Sequence, residues 1–128
     1  MATHRSIRPS DAPVPLGPYS PAMGFEQLVF VSGQGPRDPV TNQMPADIEA
    51  QTEQCLRNVQ SILRAAGSDL AHVLRCGVFL IDMAEFARMN AVYSRVFADH
   101  RPARTTVQAA ALPGEGMRVE IDCIAYVP

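Results

Sequence analysis

The chain has 128 residues, of which 47% are hydrophobic and 19% charged, a balance that argues against disorder and allows one domain with a real core. A formal net charge of -2 without any Lys/Arg cluster gives no support to nucleic-acid binding. No stretch reaches the roughly 18 apolar residues of a membrane span, and the start has no apolar signal-like segment, so the expectation is a soluble, cytoplasmic protein with no membrane partner.

Residues 1–13 read as an N-terminal arm inside a proline-rich stretch that holds at most a short strand and ends in Leu16-Gly17-Pro18-Tyr19-Ser20-Pro21. Gln27 to Ser32 (QLVFVS) has the Val/Phe/Leu content of a strand, and Gly33-Gln34-Gly35-Pro36 must stop or bulge it. A polar turn region follows to Pro45. Ile48, Thr52, Cys55, Leu56, Val59, Ile62 and Leu63 then recur at spacings of three and four, which predicts an amphipathic helix from about Asp47 to Ala66 with Gly67 as its stop.

Val73 to Ile81 (VLRCGVFLI) is short and rich in strand formers, and reads as an interior strand. Asp82 and Glu85 fit a capping pair for a second helix, whose apolar stripe is Phe86, Met89, Tyr93 and Phe97 and whose end is set by His100-Arg101-Pro102. Two strand-like segments close the chain, joined by a Gly/Pro-rich turn. Arg104, Thr106 and Gln108 share one face of the first, opposite Thr105, Val107 and Ala109. Arg118, Glu120, Asp122, Ile124 and Tyr126 share one face of the second, opposite Val119, Ile121, Cys123 and Ala125. Two helices cover only one face of such a sheet. The other, expected to carry Arg104 and Glu120, needs a second cover, and self-association is the economical one.

The three cysteines, Cys55, Cys76 and Cys123, fall inside apolar periodic segments and read as buried free thiols. The three histidines have no metal-ligand spacing, and no P-loop, dinucleotide fingerprint or nucleophile elbow is present, so neither a metal nor a cofactor is expected. Arg104 offers a planar fork for a carboxylate, and Glu120 a carboxyl able to move protons or orient water. Together they suit a small substrate bearing its own carboxylate. From the pattern alone, an ion pair between neighbouring strands is the simpler account, with Arg118 and Asp122 offering further pairings. Tyr19 and Ser32 are hydrogen-bonding groups beside glycine turns, and Asn90 falls on the polar side of the second helix, where a solvated face is the default.

These residues occur in an order that resembles the Rid/YjgF family of enamine and imine deaminases, earlier described as translation inhibitors or L-PSP endoribonucleases. The matching pieces are Gly17-Pro18-Tyr19, Val31-Ser32-Gly33-Gln34, Asn90, Pro102-Ala103-Arg104-Thr105-Thr106-Val107 and Val119-Glu120-Ile121-Asp122-Cys123-Ile124-Ala125. The resemblance implies a chorismate-mutase-like α/β (α+β) fold, a mixed sheet with two helices on one face, and a homotrimer with ligand clefts between subunits. It also implies that Arg104 clamps the substrate carboxylate and Glu120 activates water. Tyr19, Ser32, Gly33 and Asn90 would line the site. Thr106 stands where the best-known deaminases have Cys, which leaves pocket shape and substrate open. The implied reaction takes a 2-aminoacrylate-like enamine or 2-imino acid to a 2-keto acid and ammonia, without a cofactor. Deamination of a larger metabolite, such as aminomuconate or a pyrimidine-degradation intermediate, is the enzymatic alternative. A non-catalytic carboxylate-binding or chaperone-like trimer is another. Ribonuclease action is disfavoured, because paired histidines, a metal cluster and a basic patch are all missing.

Overall fold

A computed structural model describes residues 2–128; Met1, the first residue of the expected arm, lies outside the described residues. The strands are β1 (His4–Ile7), β2 (Ala22–Phe25), β3 (Leu28–Gln34), β4 (Val73–Leu80), β5 (Ala103–Gln108) and β6 (Val119–Tyr126), and the helices are α1 (Ile48–Ala65) and α2 (Phe86–Phe97). They form one six-stranded sheet in the order β1-β2-β3-β6-β4-β5. Every pairing is antiparallel except that of β4 with β5, so the sheet is mixed.

α1 begins where Asp47 accepts a hydrogen bond from the Ala50 amide at 2.7 Å, the usual service of an N-cap aspartate. It ends before Gly67, whose φ of +86° is the left-handed conformation glycine adopts without strain. The predicted stripe is buried throughout, and the helix packs on β3 and β6 and against α2. Facing it, Val29, Val31, Cys76, Val78, Leu80, Val119, Ile121, Cys123 and Ala125 form the sheet side of the core. All three cysteines are free and buried.

Four features differ from the expectations. A short strand, β2, precedes β3 and pairs with both it and β1. Asp82 caps a single 3-10 turn at Met83–Glu85 rather than α2 itself. Glu85 does not return to that cap; it turns to Arg118, 2.8 Å away. Most consequential, β5 and β6 are not neighbours, because β4 lies between them.

The register of β4 then decides which way β5 faces. Cys76 pairs with Cys123 on one side and with Arg104 on the other, and Val78 pairs with Ile121 and with Thr106. Partners in register share a face. Arg104 and Thr106 therefore lie on the face covered by the helices, and Glu120, paired with Phe79, lies on the opposite, open one. The expectation that one open face carries both is wrong. Thr105 and Val107, expected on a buried face, are exposed on the open side. That side also presents Phe25, Leu28, Phe30 and Tyr126, each 37–43% exposed. Among the described residues, no helix is long and apolar enough to cross a membrane.

Candidate active site

The expected site residues fall into two groups, one on each side of the sheet. In the first, Arg104 reaches under α2. Its guanidinium carbon stands 4.8 Å from the centre of the Tyr93 ring and 5.6 Å from that of Phe86, within cation–π range, and Nη1 is 4.0 Å from the Met89 sulfur. No carboxylate lies within ion-pairing distance of it among the described residues. Asn90, Tyr93, Ser94, Arg101 and Pro102 complete an open depression around it. Asn90 is not on a solvated face. Its Oδ1 is buried with no hydrogen-bond partner, as is the Tyr93 hydroxyl. A half-buried cation beside unsatisfied polar atoms is an arrangement ready to receive an anion with further hydrogen-bonding groups.

The second group surrounds Glu120. Its side chain lies along Gly33, so closely that a Cβ there would come within 2.7 Å of Oε2. The register between β3 and β6 shifts between Val31 and Gln34, a bulge of the kind that re-aims side chains. Just inside it, the Ser32 hydroxyl donates to the Ser20 carbonyl at 2.7 Å and the Ser32 amide to the Pro21 carbonyl at 2.9 Å. Ser32 thus fastens the Tyr19-bearing segment to the sheet. The Tyr19 hydroxyl accepts from the Leu16 amide at 3.1 Å, and the Tyr19 amide donates to the Gly17 carbonyl at 2.9 Å, which gives the segment a fixed turn. Tyr19, Gly33 and Glu120 line one cavity of about 240 Å³. Glu120 has no ion pair among the described residues. Burial, and then the negative charge of Asp122, hold its carboxyl above the ordinary carboxylate range; both disfavour the ionised form.

The pairing of Arg104 with Glu120 that the strand pattern suggested is therefore not made. Thr106 is half-buried on the Arg104 side, one pleat along the strand. No histidine or cysteine lines either cavity, and no group of three or more metal-ligating side chains occurs among the described residues.

Two residues that sequence reasoning missed shape the Glu120 cavity from beneath. Gln51 and Asn58, buried polar residues of α1, stand seven apart on the core stripe. Gln51 donates to the carbonyls of Pro45 and Gly116 at 2.8 and 2.9 Å and accepts from the Arg118 amide at 2.7 Å. Asn58 donates to the carbonyls of Gly35 and Arg37 at 3.0 and 2.9 Å. The loops before and after the cavity are thereby tied to one helix. The available signal was polar amides at two stripe positions that periodicity assigns to the core, where a buried amide must find partners.

Comparison with known proteins fits this architecture. The model of the family described as Endoribonuclease L-PSP matches residues 9–127. The chain belongs to this family, the Rid/YjgF family. Among its relatives, protein DfrA of Myxococcus xanthus is 46% identical over 124 residues, covering 94% of each chain. The 2-iminobutanoate/2-iminopropanoate deaminase of Escherichia coli is 37% identical over 124 residues, 94% of this chain and 96% of that protein. The crystal structure of E. coli TdcF with bound serine superposes with a TM-score of 0.91 at 37% identity, covering 95% of this chain and 98% of the other. The mixed sheet with two helices on one face is thus the fold of this Rid/YjgF chain as well as of its solved relatives.

Proposed function

We propose that the protein hydrolyses reactive 2-imino acids and their enamine tautomers to 2-keto acids and ammonia, at sites shared between copies of the chain in a homotrimer. The observation that carries this reading is the division of the two charged groups. Arg104 and Glu120 have no ion-pair partner among the described residues and lie on opposite sides of one sheet, so one ligand meets both only where the helix-side edge of one chain approaches the open side of another. The row of exposed apolar side chains on the open face supports such an assembly, since an apolar patch of this kind marks a surface that associates. The deaminase relative from E. coli supports the chemistry.

In this reading Arg104 grips the substrate carboxylate through two charge-assisted hydrogen bonds, with Asn90 and Thr106 beside it. Tyr19, Ser32 and Gly33 border the reacting end, where Glu120 sits. Protonation of the enamine at its terminal carbon, with loss of a proton from nitrogen, gives the imine. Glu120, as carboxylate, takes a proton from water as the oxygen bonds to C2 and the C=N electron pair moves to nitrogen. The carboxyl returns that proton to nitrogen, giving a carbinolamine. It then relays the carbinolamine's hydroxyl proton to the amino nitrogen as the C–N bond breaks, so that ammonia leaves and C2 keeps oxygen as a ketone. Each step needs only water, orientation and proton transfer. A carboxyl held above its ordinary range is better matched to this proton traffic at neutral pH than an exposed one.

Complementation of two inactive variants tests the shared site. Arg104→Ala and Glu120→Gln are each expected to lose most activity on freshly generated 2-iminopropanoate, followed as ammonia and pyruvate. Unfolding and refolding them together at equal amounts should restore roughly a quarter of the sites, those drawing Arg104 from one variant and Glu120 from the other. No recovery in mixed oligomers would place both groups in one chain's site and overturn the model. Wild type with no rate above buffer would overturn the deaminase reading itself.

A further inference from the structure

The cavity beside Glu120 is larger than the proposed reaction requires. Apart from Tyr19, Arg37 and Glu120 itself, its lining bears no ionisable side chain, and its walls include Val14, Leu16, Met44, Met117 and Pro113. Arg37 is turned aside, donating to the Asn42 carbonyl at 2.7 Å. At about 240 Å³ the space falls short of the roughly 300 Å³ at which sites for whole drug-sized ligands begin. It greatly exceeds what the methyl group of 2-iminopropanoate fills. It is also set before any ligand arrives. Gln51 and Asn58 hold two of its walls on α1, and the Leu16–Tyr19 hydrogen bond holds a third.

The geometry points to a subsite for the substrate side chain, selecting 2-imino acids with branched or thioether apolar side chains, such as those formed by oxidation of leucine or methionine, over the alanine-derived one. This rests on the deaminase reading and deepens it. A reacting C2 held against Glu120 has the cavity directly beside it. A one-carbon side chain leaves apolar walls facing water, while a four-atom side chain replaces that water with contact to Leu16, Met44 and Met117. Methionine walls adapt to either shape.

The experiment compares kcat/KM for 2-imino acids generated in situ from leucine, methionine and alanine, together with inhibition by the matching keto acids, 4-methyl-2-oxopentanoate and pyruvate. The two larger substrates are expected to exceed the alanine-derived one by at least tenfold, the scale on which apolar pockets weigh added methylenes. The branched keto acid should inhibit more tightly than pyruvate by a similar factor. Leu16, 71% exposed, can be changed without touching the core. Leu16→Ala should lower the leucine-to-alanine ratio and Leu16→Asp should lower it further. A wild-type ratio near or below one, or a ratio that Leu16→Asp leaves unmoved, overturns the subsite while the deaminase reading stands. If no imino acid is hydrolysed, that reading fails instead, and the subsite is then judged by keto-acid binding: tighter binding of the branched acid supports it, and equal binding ends it.

Discussion

Replacing Arg104 by methionine separates a receptor arginine from a structural one. The methionine stem keeps the contacts with Met89, Phe86 and Tyr93 that the arginine now makes. The fold loses two cation–π contacts, worth about 0.5–2 kcal/mol together. It is also relieved of a half-buried charge that has no counter-ion, a term of opposite sign. These nearly offset, and a stability change within about 1 kcal/mol is expected. Activity has no such offset. Removing one member of a charge-assisted pair with the substrate carboxylate costs about 2–5 kcal/mol, and at 1.36 kcal/mol per tenfold that is a loss of roughly thirtyfold to several thousandfold in kcat/KM. Urea unfolding gives the first quantity, and pyruvate and ammonia release from 2-iminopropanoate the second. A variant that unfolds far more easily while turning over at the parent rate refutes the receptor role, because the arginine would then serve the fold.

Four further outcomes follow from the structure. Glu120→Gln should abolish the acidic limb of the kcat/KM profile, which in the parent falls as pH drops through a pKa above the ordinary carboxylate value. The same shift carries a stability consequence. A carboxyl whose folded pKa is raised favours the fold most at low pH, and that contribution is lost as pH rises from the unfolded pKa through the folded one. Denaturant titrations should therefore find Glu120→Gln at least as stable as the parent at pH 7, with the advantage vanishing below pH about 4, where both states hold the proton. Gly33→Ala should lower kcat by displacing the flexible Glu120 carboxyl, which the new Cβ would meet at 2.7 Å, while changing the unfolding free energy by less than about 1 kcal/mol, since the collision is with a side-chain end. Asn58→Ala should destabilise by about 2–3 kcal/mol, because it strips the partners from the Gly35 and Arg37 carbonyls at the cost typical of buried unpaired groups; a loss under about 0.5 kcal/mol would mean that water replaces the amide there.

The parts of this structure legible in the sequence are those where a single periodic segment carries its own signal. The α1 stripe from Ile48 to Leu63 names its buried face residue by residue, and β6 does the same with Val119, Ile121, Cys123 and Ala125. β2 was not legible, because Ala22-Met23-Gly24-Phe25 is four residues with a glycine and owes its strand state to its neighbours. The orientation of β5 was hidden for a different reason. Alternation shows that Arg104 and Thr105 face opposite ways, but not which way is inward. That phase comes from pairing with β4, which puts Arg104 beside the buried Cys76. Composition pointed the other way, since Thr105 and Val107 look more apolar than Arg104 and Thr106. β5 lies at the sheet edge, where a guanidinium can fit under aromatic rings of α2. Asn90 was misread for the same cause: a polar residue toward a binding depression and one toward solvent have the same helical phase.

The amide tethers on α1 set when the cavity takes its form. With the loops at Gly35–Arg37 and Gly116–Arg118 bound to Asn58 and Gln51 inside the core, ordering of these walls belongs to folding and is absent from the binding step. The Arg118 amide, which donates to Gln51, should exchange with solvent only as slowly as α1 leaves the sheet, and a ligand arriving should protect it little further. Discrimination among substrates would then rest on a fixed shape, present in the empty protein, and engineering of the α1 core for heat resistance would alter which molecules the enzyme accepts.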